Sequence, residues 1–174
     1  MSERSPLASA GMSHAIHSLL ATAAGRSASA PSGPMQPALR LAVLTCMDAR
    51  IDPLAALGIG VGDAHVLRNA GGRVTDDVVR SLALSTHSLG VAEVGIVQHT
   101  GCGLEGVGND TLARETGLVG VDFLPFDQVD DSVAADVDRL LAAGALPPGT
   151  AVWGGVYDLA DGRIRLVREP SPAG

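Results

Sequence analysis

Two short stretches carry most of the chemistry this sequence can do. The first is Cys46-Met47-Asp48-Ala49-Arg50 and the second is His99-Thr100-Gly101-Cys102. A lone cysteine is ordinarily a small buried hydrophobe. Two thiols and an imidazole that converge are something else: a soft donor set that suits tetrahedral zinc. A structural zinc site takes four protein ligands, whereas a catalytic one keeps a position for water. The chain offers three obvious ligands, Cys46, His99 and Cys102, and its cysteines form no paired Cys-x-x-Cys hooks. The expectation is one Zn2+ in an open site. Zinc lowers the pKa of its water from about 15.7 towards about 7, so hydroxide is available at neutral pH to attack a small electrophile.

Asp48 and Arg50 complete this logic. Arg50 can hold Asp48 through paired hydrogen bonds. Asp48 then stays ionised and can accept a hydrogen bond from the hydroxide, aiming its lone pair. If the pair opens, Asp48 could swing onto the metal and close the fourth position. Asp48 therefore counts as both a catalytic and a metal-ligating candidate, and Arg50 as its catalytic partner. The plain alternative is a surface ion pair of little consequence. A redox role for Cys46 and Cys102 is disfavoured by their spacing.

These residues must be positioned by the elements around them. Leu39 to Thr45 is a short apolar run that reads as a buried parallel strand. Asp52 and Pro53 start a helix, as a cap and a first helical residue. Ala64 to Leu67 reads as a second strand. Thr75 caps a helix to about Leu89, with Asp76 and Asp77 in its positive first turn and Val78, Val79, Leu82 and Leu89 as its core stripe. Val91 to Gln98 reads as a third strand. Residues 103 to 120 are Gly-rich and irregular, with a helical turn or two near Asp110 to Glu115. Val121 to Leu124 reads as a fourth strand, and Asp131 to Ala143 as a helix ending at Gly144. Ala151 to Asp158 and Arg163 to Arg168 flank Asp161-Gly162, a hairpin signal. The expected architecture is an α/β domain with a mostly parallel sheet flanked by helices and an antiparallel edge. Its ligands should bind beyond the carboxyl ends of the strands. Cys46 follows the first strand and His99 the third, so both clusters meet if those strands are neighbours.

Composition bounds the rest. The 174 residues fit one domain with a single core. Apolar residues make up 46% but aromatics only 2%, so any pocket should be lined mostly by small aliphatic side chains. The net charge of -7, with 12 Lys and Arg, argues against nucleic acid as a partner. The sequence lacks an apolar run long enough to span a membrane, and its first residues lack a clean signal-peptide core. A soluble cytoplasmic protein is expected. Residues 1–38 read as a peripheral arm: an amphipathic helix over Ser13 to Ala24 with Ile16, Leu19 and Leu20 on one side, then a linker over Ala24 to Pro37. Residues 39–174 read as the catalytic domain. Of the other histidines, His65 and His87 read as structural, and His14 and His17 lie in the arm.

The two stretches resemble the signature of the β-class carbonic anhydrases, which carry Cys-x-Asp-x-Arg on one loop and His-x-x-Cys on another. The segment Arg68-Asn69-Ala70-Gly71-Gly72 through Thr75-Asp76-Asp77 is also similar, as is the order of strands and helices. The resemblance covers about residues 39–168. Each half-motif alone is weak; together, in order and at this separation, they are specific. The resemblance implies zinc ligation by Cys46, His99 and Cys102, with an Asp48–Arg50 dyad beside the metal. It implies reversible hydration of carbon dioxide to bicarbonate and a proton. It also implies a homodimer or dimer of dimers, with the N-terminal helix often wrapped on its partner, and a first strand lying between the second and third. Gly103 is a substrate-binding candidate, because the stretch Gly103 to Gly120 would form one pocket wall. That wall is short and Gly-rich compared with many members. Plant-like members line the pocket with aromatic residues and a glutamine, whereas here the Phe and Tyr residues are Phe123, Phe126 and Tyr157. Hydrolysis of carbonyl sulfide or carbon disulfide on the same zinc site is one alternative. A non-catalytic zinc-binding homologue is another.

Overall fold

The computed structural model describes Ile16, residues 18–22 and residues 33–174. Most of the expected arm therefore lies outside the described residues, including His14, His17 and the linker as far as residue 32. Within the arm, Ile16 and residues 18–22 are helical, and Ile16, Leu19 and Leu20 are exposed. Residues 33–174 form one compact unit. Among the described residues, no helix is long and apolar enough to cross a membrane.

The unit runs β1 (Leu41–Cys46), α1 (Pro53–Leu57), β2 (Ala64–Asn69), a 3-10 turn (Ala70–Gly72), α2 (Asp76–His87), β3 (Glu93–His99), α3 (Asn109–Thr116), α4 (Val129–Ala142), β4 (Ala151–Tyr157) and β5 (Ile164–Pro172). The helix starts follow the sequence chemistry. Asp52 accepts from the amides of Leu54 and Ala55 at the head of α1, and Thr75 accepts from Val78 at the head of α2. Each satisfies amide donors that the first helical turn leaves free.

The five strands lie in the order β2-β1-β3-β4-β5. The first four are parallel and β5 is antiparallel to β4. β1 thus sits between β2 and β3, as the resemblance implied. Side chains alternate across each strand. Ala42 and Leu44 of β1, Val94 and Ile96 of β3 and Val152 of β4 form one core with Val78 and Leu82 of α2 and Val137 and Leu140 of α4. Gly154 lets α4 lie directly on β4: a Cβ there would come within 2.5 Å of Val133. The opposite face presents Val43, Thr45, Val97, Tyr157 and Ile164, and the short α1 covers them through Ala56 and Leu57.

Two expectations need correction. Val121 to Leu124 is not a strand. Its backbone is claimed by side chains instead: Phe123 donates its amide to Asn109 Oδ1 and Leu124 donates to Asp122 Oδ1, both at 2.9 Å. Leu124 takes a left-handed φ of 55°. Local acceptors of this kind compete directly with a sheet ladder, and the pairing that survives is a single bridge between Glu105 and Phe126. The hairpin forms, but its turn is wider than Asp161-Gly162 alone. Residues 158–163 close it, with Asp158 N donating to Arg163 O at 2.8 Å and Arg163 N to Asp161 Oδ1 at 2.9 Å. β5 also continues to Pro172, beyond the expected Arg168.

The core makes a direct stability prediction. Leu82 is fully buried between α2 and the sheet, so Leu82→Ala should cost about 2–5 kcal/mol. Val119 is 97% exposed, and Val119→Ala should stay within about 0.5 kcal/mol of the parent. Urea denaturation of both variants checks the pair. Equal losses would contradict the layer assignment.

Candidate metal centre

The site begins with the parallel pairing of β1 and β3. Thr45 lies opposite Val97, so both chains leave the sheet at the same edge, Cys46 at the end of one strand and His99 at the end of the other. Beyond Cys46 the backbone is held tightly. Met47 N donates to Asn69 O at 2.8 Å. Arg68 Nε donates to Cys46 O at 3.0 Å, and its Nη2 donates to Asp48 O at 2.8 Å. The 3-10 turn presses on the same strand end. Gly72 has φ 63°, and a Cβ there would stand 2.9 Å from the Thr45 carbonyl carbon and 3.0 Å from Cys46 N.

His99 is completely buried. Its Nδ1 lies 3.0 Å from the Thr100 carbonyl oxygen. A carbonyl only accepts, so Nδ1 carries a proton, and in the neutral ring Nε2 then carries the lone pair. That Nε2 is buried and has no hydrogen-bond partner. An unpaired buried polar atom carries a desolvation penalty of about 1–3 kcal/mol, so its presence calls for a ligand. The donors beside it are thiols: Cys46 Sγ, Cys102 Sγ and a His99 nitrogen all lie within 4.8 Å of one another. Both cysteines are buried and free. The Cys102 thiol beside Cys46 lowers the Cys46 pKa against the opposing effect of burial, and the same contact raises Cys102. Two thiols and an imidazole lone pair in a closed space fit a metal ion that displaces the thiol protons. These three residues form a metal-binding group.

Asp48 stands at the edge of this cluster. Arg50 grips it with two hydrogen bonds, Nε to Oδ1 at 2.9 Å and Nη2 to Oδ2 at 2.6 Å. The Arg50 amide adds a third at 2.9 Å. These hydrogen bonds hold the Asp48 carboxyl well below the usual carboxylate range, so it is ionised at every pH near neutrality. Its Oδ2 lies 3.8 Å from His99 Nε2. Arg50 Nη2 also donates to Gly101 O at 3.0 Å, which ties the Cys46 loop to the His99–Cys102 loop. Gly103 is exposed beside Cys102, and the space where a Cβ would sit is open.

Sequence reasoning missed several residues here. Arg68 was noticed only as part of a similar segment, yet it clamps the carbonyls on both sides of Met47. Glu105 accepts from Gly101 N at 3.2 Å, and Thr100 Oγ1 accepts from Leu159 N at 3.1 Å. Both brace the second loop. Around Cys46 and Cys102, Phe123, Phe126 and Tyr157 pack together with the aliphatic Ile51, Leu104, Leu112 and Leu159. His65 and His87 fit their structural reading. His65 spans Ser85 Oγ and Met35 O at 2.9 and 3.0 Å, and His87 Nε2 meets Ala145 O at 3.2 Å.

Comparison with known proteins agrees with this geometry. The family profile described as "Carbonic anhydrase" matches residues 41–120. The chain is 40% identical over 141 residues to Beta-carbonic anhydrase 1 of Mycobacterium tuberculosis, covering 77% of this chain and 85% of that protein. It is 32% identical over 151 residues to a carbon disulfide hydrolase of Acidithiobacillus thiooxidans, covering 72% and 76% respectively. Among solved structures, a carbonic anhydrase from Streptococcus mutans superposes with a TM-score of 0.78 at 37% identity, covering 90% of this chain and 97% of that one.

The ligand cluster predicts a difference in metal affinity. Cys102→Ser replaces a soft sulfur by a neutral oxygen and should weaken zinc binding by more than the roughly 10–100-fold that losing an outer partner costs. Met47→Ala, at a 65% exposed side chain beside Cys46, should leave it unchanged. Competition against a chromogenic chelator measures both.

Proposed function

This chain belongs to the β-carbonic anhydrase family, and from that premise we propose that it hydrates carbon dioxide reversibly to bicarbonate and a proton at one zinc ion held by Cys46, His99 and Cys102. The observation that carries this reading is the buried, unpartnered Nε2 of His99. It stands beside two thiol sulfurs and 3.8 Å from a carboxylate oxygen. Zinc in that position supplies Lewis acidity, which makes water a nucleophile near neutral pH.

The chain's own residues do the rest. Asp48 stays ionised because Arg50 holds it, and its carboxylate accepts a hydrogen bond from the attacking oxygen. That bond turns the oxygen's lone pair towards the carbon of carbon dioxide, an orientation effect of the kind that fixed dipoles supply without reorganisation. Both Asp48 oxygens are engaged by Arg50, which supports Asp48 as a hydrogen-bond acceptor for the attacking oxygen over Asp48 as a residue that would hold the metal. Gly103 leaves the approach beside Cys102 open to substrate, and the Phe123, Phe126 and Tyr157 rings offer an apolar surround for a molecule without charge.

The two free thiols suit a reducing, cytoplasmic compartment. The sheet supports a homodimer or a dimer of dimers. Parallel sheets are normally covered on both faces. Here one face carries α2 and α4, while among the described residues the other carries the five-residue α1. Beyond α1 that face leaves Leu166 52% exposed and Val66 36% exposed.

Activity and assembly measurements test these readings. Zinc-loaded protein mixed with carbon dioxide should release protons well above the uncatalysed rate. Asp48→Asn should keep its zinc and lose about 100-fold or more in kcat/KM; full turnover in that variant would refute the orienting role. Carbon disulfide and carbonyl sulfide belong in the same assay, and release of hydrogen sulfide without hydration of carbon dioxide would reassign the substrate. Sedimentation at micromolar concentration should give a dimer or a multiple of dimers. A monomer there would overturn the assembly reading.

A further inference from the structure

Beneath the metal ligands, on the α4 side of the sheet, lies a second arginine–carboxylate pair. Arg73 Nε meets Asp136 Oδ2 at 2.6 Å, with side chains only 10% and 2% exposed. Gln98 Nε2 donates to the same Asp136 oxygen at 2.7 Å. We propose that this buried pair positions the metal ligands, because hydrogen bonds and packing lead from the Asp136 carboxylate and its arginine to the backbone that carries each of the three. The inference rests on the metal-site reading above.

The connections can be followed one ligand at a time. Gln98 is the residue before His99. Strand alternation sends its side chain to α4 while His99 points to the metal side. Anchoring Gln98 on Asp136 therefore fixes the rotation of the strand end that aims the imidazole. For Cys46 the link is the 3-10 turn, which Gln98 Nε2 reaches from Asp136 by donating to Gly72 O at 3.5 Å and which the main chain of Arg73 closes. Arg73 N donates to Asn69 Oδ1 and Asn69 Nδ2 donates back to Arg73 O, both at 2.8 Å. This exchange clasps Gly72 against Thr45 and Cys46, the close approach described above. Asn69 O in turn receives Met47 N.

For Cys102 the link is Arg73 itself. Its Nη1 donates to the carbonyl oxygen of Leu124, the residue with positive φ. Its guanidinium lies 5.5 Å from the centroid of the Phe126 ring, within reach of a cation–π attraction. Phe126 pairs by backbone with the loop after the ligand: Phe126 N donates to Leu104 O at 3.1 Å and Gly106 N donates to Phe126 O at 2.8 Å. Glu105 N closes the chain onto Cys102 O at 3.1 Å.

Neither Arg73 nor Asp136 belongs to the ligand cluster, so both are positioning residues. Their effect should be read on the metal, without turnover. Asp136→Asn keeps the size of the side chain and removes its charge. Arg73→Lys keeps a cation for Asp136 but gives up the guanidinium fork. Val137→Ala, buried on the same helix and facing the sheet, is the control for simple loss of packing. Three quantities are measured on each: thermal midpoint, zinc affinity by chelator competition, and the visible spectrum of the cobalt-loaded protein. The expected result is a loss of zinc affinity of about 10-fold or more in Asp136→Asn or Arg73→Lys, with altered cobalt bands. Val137→Ala should lower the midpoint and leave affinity and spectrum as in the parent. If the polar variants that fold keep affinity within about two-fold and an unchanged spectrum, the inference is overturned. It is also overturned if Val137→Ala shifts affinity and bands as much as they do. Parent protein that binds zinc but does not hydrate carbon dioxide would refute the activity reading alone. Parent protein that binds no zinc would refute both.

Discussion

The parallel hydrogen bonding of β1 to β3 is the constraint on which this molecule depends. Two neighbouring strands that run the same way must both end at one edge of the sheet. The register then sets what stands at that edge. With Thr45 opposite Val97, the next residues out are Cys46 on one strand and, two residues beyond Val97, His99 on the other. A shift of one residue would reverse which side of the sheet each side chain faces. The imidazole would turn into the α2–α4 core, and Gln98 would turn away from Asp136. The metal site is therefore a property of sheet register first and of loop conformation second.

Two arginine–aspartate pairs support the site from opposite directions, and they obey different physics. Asp48–Arg50 lies at the surface, with Arg50 59% exposed. Solvent screens such a pair, and its net contribution to folding is small. Its value lies in keeping a carboxylate ionised and pointed. Arg73–Asp136 is buried, where desolvation offsets much of the attraction. A hydrophobic pair of similar volume could stabilise the fold as well. What it could not do is present hydrogen bonds to Gln98 and to Leu124 O. One pair serves charge placement and the other serves geometry.

The sequence made the candidate metal-binding group and its scaffold legible because those features are local. Cys46, His99 and Cys102 announce themselves by residue type, and Asp52 and Thr75 by their place before a helix. The strand order followed from resemblance, not from periodicity. Val121 to Leu124 misled because its apolar character is real while its amides are taken by Asn109 and Asp122, acceptors that a hydrophobic pattern does not register. Arg73–Asp136 joins residues 63 positions apart, and no local pattern marks such a pair. Arg68 stood only as the first residue of a similar segment, and its reach to the carbonyls of Cys46 and Asp48 spans about 20 positions, which no local pattern marks. The aromatic side chains were too few to suggest that Phe123, Phe126 and Tyr157 would gather at one place.

Arg50 holds two things with one group. Its Nη2 donates both to Asp48 and to the carbonyl of Gly101, so the guanidinium is a shared hinge pin between the two ligand loops. Any change that moves the guanidinium off the carboxylate would also disturb its bond to the His99–Cys102 loop. The carboxylate and the loop are thus mechanically coupled.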